Sequence, residues 1–166
     1  MTTGIPTIEE WLKLQEVMVP FLVRCGAAAL CGGMIGLERE IRRKPAGFRT
    51  NILICVGAAM YMTVGLLIFE DDRRMGDPTR IAAQVVTGIG FLGAGAIMQS
   101  QGRVSGLTSA ATIWVVAAIG IIAGAGYPIL AFLAACMVVL TLVVLLKVEN
   151  RFLDPRYGDD GKGSDG

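Results

Sequence analysis

Five apolar stretches, each close to the length of a membrane crossing, fill most of this 166-residue chain. They lie near residues 20–37, 51–69, 79–98, 107–125 and 127–146, separated by short charged or Gly/Pro-bearing breaks. A bilayer core about 30 Å thick takes about 20 apolar helical residues to cross. A chain so filled has to place its chemistry between helices or on short loops. The pattern predicts an all-α membrane protein: five transmembrane helices with an N-terminal interfacial helix. Composition agrees, since hydrophobic residues make up 54% even without the 22 glycines, and the mean hydropathy is +0.61. Soluble chains reach about 45–50% with glycine included. A β-barrel would alternate polarity over segments of about 10 residues, and no such alternation is present. The net charge of +1 implies no nucleic-acid partner.

Residues 1–16 carry one Lys and three Glu without a basic start or a small-residue cleavage site, so the first span is expected to stay in the mature protein. Cys25, Cys31, Cys55 and Cys136 all fall inside spans and lack Cys-x-x-Cys spacing, which makes them small buried hydrophobes. The chain has no histidine, and so lacks the commonest metal ligand and the usual general base. No metal site and no cofactor is expected.

Thr7-Ile8-Glu9-Glu10 reads as a capping box that opens a short interfacial helix anchored by Trp11, within a periplasmic segment 1–19. Pro20 suits the first position of the next helix. Pro45-Ala46-Gly47 reads as a turn. Asp77-Pro78 is a cap followed by proline at the first helical position, so the third helix starts there. Gln99–Gly106 reads as a loop, with Ser105 as a cap for the fourth helix or as part of an anion site at its N-terminus. The five spans lie within 20–147, and 148–166 is expected to be a disordered cytoplasmic tail. Counting Lys and Arg near the span ends places ten on one side and four on the other. The positive-inside rule then sets the amino terminus outside and the carboxyl terminus in the cytoplasm.

Several groups of residues can carry function. Gly36-Leu37-Glu38-Arg39-Glu40 leaves the membrane through a charged collar that continues to Lys44 and Arg49. Glu38/Arg42 and Glu40/Lys44 are spaced to pair along a helix. A positive-inside anchor accounts for the cations. Two glutamates at the membrane face point instead to a functional polar cluster of Glu38, Arg39, Glu40, Lys44 and Arg49, with Thr108 and Thr112 at the same depth. On the outer side, Arg80, Gln84 and Thr87 share one helix face. With Arg24 and Asp77 they form a polar stripe, directed to a vestibule or to hydrogen bonds between helices. Arg24 sits about one turn deep, so it either snorkels or turns inward. Close helix contacts are expected through Gly32/Gly36 and Gly90/Gly93. The run Glu70-Asp71-Asp72 is a weak Mg²⁺ contact or, more simply, a solvated loop.

These residues carry a resemblance. Gly36–Glu40 with Lys44-Pro45-Ala46-Gly47-Phe48-Arg49-Thr50 resembles the opening signature of the MgtC/SapB family. Asp77–Val86 with Gly88-Ile89-Gly90-Phe91-Leu92-Gly93-Ala94-Gly95 resembles its central one, and Gly106-Leu107-Thr108-Ser109-Ala110-Ala111-Thr112-Ile113-Trp114 its third. The resemblance covers residues 20–146. It implies a bacterial inner-membrane protein with five spans, tied to growth at low Mg²⁺, in some pathogens to survival inside macrophages, and to restraint of the F-type ATP synthase. Members often carry a ligand-binding-like cytoplasmic domain after the fifth span, where this sequence has a short acidic tail. Two readings follow. One is a non-enzymatic, homo-oligomeric regulator that docks on other membrane complexes. The other is a small Mg²⁺ or proton transporter or channel. No Asp, Glu, Lys or His lies inside a span, which favours the regulator, although backbone carbonyls at the glycines can line a pore. Nothing resembles a nucleophile–base pair, so no enzyme is expected.

Overall fold

A computed structural model describes residues 8–71, 77–100 and 103–152. Five helices and one small hairpin follow in order: α1 (Ile8–Ile41), α2 (Phe48–Asp71), α3 (Pro78–Gly95), β1 (Met98–Ser100), β2 (Arg103–Ser105), α4 (Leu107–Gly124) and α5 (Pro128–Phe152). The fold is all-α, and four helical segments are long and apolar enough to cross a membrane: Gln15–Ile41, Phe48–Glu70, Leu107–Gly124 and Pro128–Val148. Large apolar side chains such as Leu30, Phe91, Ile129 and Met137 point outward. A water-soluble surface would not tolerate so many of them together, whereas lipid does.

Three expectations change. The separate interfacial helix is absent, because α1 runs unbroken through Pro20. Proline deletes one backbone hydrogen bond, and neighbouring groups in a membrane helix can compensate for that loss. Thr7 lies outside the described residues. The loop before α4 folds into an antiparallel hairpin that pairs Met98 with Ser105 and Ser100 with Arg103. The tail begins later than expected, since α5 continues to Phe152 and only the remainder lies outside the described residues.

Small residues set the packing. A Cβ on Gly32 would lie 2.7 Å from the Asn51 carbonyl, and one on Gly36 would lie 2.9 Å from the Phe48 backbone, so α1 and α2 touch backbone to backbone. These contacts pair later residues of α1 with earlier residues of α2, which makes the two helices antiparallel. At the α2–α4 interface, Gly120 faces the Cys55 carbonyl and Gly124 faces the Ala59 carbonyl, both too closely for any side chain. Here the residue numbers rise together, so α2 and α4 run parallel. In lipid, such approach replaces the hydrophobic drive for association.

Helix α3 falls short of the apolarity of those four spans, with Arg80 and Gln84 in its first half. It must nevertheless traverse the same thickness. Two parallel neighbours, α2 and α4, require the chain between them to return, and α3 is the only helix on that path among the described residues. Its 18 residues span about 27 Å at 1.5 Å per residue, close to a bilayer core. Gly93, late in α3, lies against Ala110, early in α4, as a returning α3 requires.

Candidate functional site

The end of α1 and the start of α2 form a single corner. The amide of Lys44 donates to Arg39 O and that of Arg43 donates to Glu40 O, each at 3.0 Å. This is a Schellman ending with Arg43 in the left-handed position at φ 52°. Ala46, at φ 58°, then redirects the chain into α2. Asn51 holds the turn shut, since its Nδ2 donates to Ala46 O at 2.5 Å and to Gly47 O at 2.8 Å. Asn51 is fully buried, and its Oδ1 has no hydrogen-bond partner among the described residues.

Within this corner Glu38 and Arg39 are buried. Arg39 Nε donates to Glu38 Oε2 at 2.5 Å, and Arg42 Nε pairs with Glu38 Oε1. Both carboxylate oxygens are therefore engaged by guanidinium groups. Breaking a buried pair strands its partner charge, at about 3–5 kcal/mol. The expected Glu38/Arg42 pair forms, but the Glu40/Lys44 pair does not. Glu40 instead accepts from the Phe48 amide at 2.9 Å, capping α2 from the preceding helix. Gly47 makes room for that cap, because a Cβ there would collide with the Glu40 carboxylate. Lys44 and Arg49 are exposed and form no ion pair among the described residues. The corner thus presents Arg43, Lys44 and Arg49 as unpaired surface cations on a rigid frame.

Thr108 and Thr112 stand at the same end of the molecule, because α4 is parallel to α2. They are not joined to the corner. Thr108 is exposed, while the buried Thr112 donates from Oγ1 to Thr108 O at 2.8 Å within its own helix. Ser105 does not occupy the cap of α4, since Gly106 holds that position at φ 90° with no side-chain cap.

The outer stripe separates into four parts. Asp77 caps α3, accepting from the Thr79 amide at 2.8 Å and from the Thr79 hydroxyl at 2.7 Å. These hydrogen bonds, the hydroxyl's first, hold its carboxyl below the usual carboxylate range. Arg80 and Gln84 line a crevice of about 730 Å³ between α2 and α3. Thr87 is not part of that lining, and donates to Ala83 O on its own helix. Arg24 neither snorkels nor joins the stripe. It reaches inward, where Arg24 Nη1 donates to Gly124 O at 3.1 Å. Thr63 Oγ1 donates to the same oxygen at 3.0 Å. Two donors from α1 and α2 thus satisfy the last carbonyl of α4, at the negative end of its dipole.

Of the expected packing glycines, Gly32 and Gly36 lie in tight contact. Gly90 faces open space, and Gly93 makes only ordinary contact with Ala110 at 3.7 Å. Gly120 and Gly124 take the close role expected of them. Sequence reasoning passed over that pair, and also Asn51 and Thr63. For the glycines a signal existed, a Gly-x-x-x-Gly spacing inside the fourth span. For Thr63 there was none beyond a lone hydroxyl in an apolar helix. Among the described residues, no group of three or more His, Cys, Asp or Glu side chains could hold a metal ion.

The family model described as the MgtC family matches residues 26–151. The chain belongs to the MgtC family. Among its relatives is the protein named "Putative magnesium transporter YhiD" of Escherichia coli (strain K12), 44% identical over 141 residues that cover 82% of this chain and 66% of that protein. Protein MgtC of Brucella abortus (strain 2308) is 50% identical over 99 residues, 60% of this chain and 40% of the relative. Protein MgtC of Salmonella typhimurium (strain LT2) is 44% identical over 136 residues, 82% and 56% respectively. The chain thus spans between 40% and 66% of the length of these curated relatives. No solved structure matches it. The matched residues include the α1/α2 corner, the Asp77 cap, the crevice residues Arg80 and Gln84 and the α4 threonines of this MgtC-family chain, whereas Arg24 lies just before them.

Proposed function

We propose that this MgtC-family membrane protein is a non-enzymatic regulator of the bacterial inner membrane that supports adaptation to low Mg²⁺. It acts as a homo-oligomer by docking on other membrane complexes, of which the F-type ATP synthase is the case the family resemblance implies. The amino terminus faces outward and the α1/α2 corner faces the cytoplasm, in line with the distribution of Lys and Arg. The observation that carries this reading is the engagement of both oxygens of the buried Glu38 by Arg39 and Arg42. A carboxylate so occupied is a frame element rather than an ion ligand. It supports a fixed surface on which Lys44 and Arg49 remain free to meet an acidic partner.

The test is growth at low Mg²⁺ in a strain lacking this protein, restored by the wild-type chain. The exposed pair Lys44→Gln/Arg49→Gln should lower complementation severalfold while the amount of membrane-inserted protein stays constant. Full complementation by that double variant would remove the docking surface. A second reading, a Mg²⁺ transporter, draws on the printed name of the Escherichia coli relative. Purified protein in liposomes separates the two: the regulator gives Mg²⁺ and proton flux equal to empty vesicles, whereas a transporter exceeds it.

A further inference from the structure

We propose that the crevice between α2 and α3 binds one membrane glycerophospholipid, with its phosphate on Arg80, its ester region on Gln84 and an acyl chain running toward Leu92. The site is separate from the α1/α2 corner and goes beyond the regulatory reading, which does not use it.

The crevice owes its existence to how the two helices meet. They meet where the Ile81 side chain packs its Cδ1 against Gly65. Elsewhere along the crevice they stand apart. Gly57 on α2 and Gly88 on α3 both face it, and a Cβ on either would meet nothing within 4 Å. The resulting space, about 730 Å³, falls within the roughly 300–1,000 Å³ of ordinary ligand sites.

Its polarity is graded. Arg80, Gln84, Gly88 and Leu92 line it at intervals of four residues, so they form one ridge of α3. Arg80 stands in the first turn after the Asp77 cap, at the level where a spanning helix meets the headgroups. Its guanidinium makes no hydrogen bond or ion pair with any described residue, and neither does the Gln84 amide. The Asp77 carboxylate, whose charge Arg80 stabilises through space, holds Thr79 with both oxygens. Below Gln84 every lining group is apolar or glycine, apart from the Tyr61 hydroxyl on α2. From Arg80 to Leu92 the ridge descends about 18 Å at 1.5 Å per residue. A cation, then an amide donor, then a long apolar trough is the order of phosphate, ester carbonyl and hydrocarbon in a glycerophospholipid. Guanidinium and phosphate are also well matched in geometry and charge.

Charge argues against a second copy as the occupant. A symmetric pair in a membrane places equivalent residues at equal depth, which would bring two unpaired Arg80 guanidiniums toward each other. A lipid phosphate neutralises the one that is present.

Native mass spectrometry of the full chain in a neutral detergent, titrated with phosphatidylglycerol, tests the assignment. The wild type should retain one lipid per subunit. Arg80→Gln should weaken retention about tenfold, the loss of one charge-assisted contact. Gly88→Leu, whose Cβ would meet nothing within 4 Å and whose side chain would project into the crevice, should abolish it. Arg43→Gly removes the same charge at the opposite end and should retain lipid as the wild type does. Diacylglycerol, which lacks the phosphate, should not be retained. Equal retention by wild type, Arg80→Gln and Gly88→Leu would overturn the proposal, as would equal retention of diacylglycerol. A lipid-free wild-type dimer that Gly88→Leu converts to monomer would also overturn it, and would assign the crevice to a second copy.

Discussion

Two helices in this protein end on the same backbone motif with different residues in its left-handed position. At the end of α4, Tyr127 N donates to Ile122 O and Gly126 N to Ala123 O, with Gly126 at φ 92°. At the end of α1 the corresponding residue is Arg43, at φ 52°. A side chain there costs about 1–2 kcal/mol, partly offset by the greater freedom glycine has in the unfolded chain. Arg43→Gly should therefore stabilise the protein by about 0.5–1 kcal/mol, read as a higher midpoint in detergent unfolding, and an unchanged or lower midpoint would contradict this account. The charges nearby were legible as a group, but only one of the two expected pairs forms. Helix spacing anticipates Glu38 with Arg42, and that bond forms. The same rule anticipates Glu40 with Lys44, and there the Phe48 amide takes the carboxylate. A backbone donor brought in by the turn at Ala46 is invisible to a rule about one helix surface. Arg24 shows the same limit, since its partner is Gly124, 100 residues away.

Helix α3 and the glycines around it show how far local pattern reaches at the level of elements. Its start at Asp77-Pro78 was legible, because a cap and a proline act within one turn. Its glycines were expected to be a contact face, yet most of them look outward. The tight interface lies instead between α2 and α4, through Gly120 and Gly124. Gly120→Ala should push a methyl group into the Cys55 carbonyl and lower stability by about 1–3 kcal/mol. Gly90→Ala should leave stability unchanged or raise it by up to about 1 kcal/mol, since alanine is the better helix former and nothing obstructs it. Thermal unfolding of both variants in the same detergent checks the pair, and the opposite ranking would move the close interface to α3. A spacing of small residues identifies which helices can approach closely. It does not say which of them have a neighbour to approach.

The parallel run of α2 and α4 governs the molecule as a whole. It makes α3 a crossing despite Arg80 and Gln84, because the chain between two parallel helices has to return. In a variant with its native cysteines replaced, a membrane-impermeant thiol reagent applied from outside should label a cysteine at Glu70 and miss one at Arg43. The reverse pattern would invert the orientation, and labelling of both would mean that α2 does not cross. The apolar helices, the membrane class, the Asp77 cap and the family signatures could all be read along the chain. Each depends on neighbours within a turn or two, or on hydropathy summed over one segment. Composition alone made α3 the weakest of the spans, and only its place between two parallel helices settles that it returns through the same thickness. Likewise, only the packing decided which glycines touch, why Arg24 turns inward to Gly124, and that Arg80 is left unpaired above a crevice. These depend on which helix lies against which and at what depth, a relation between distant residues that no local pattern encodes.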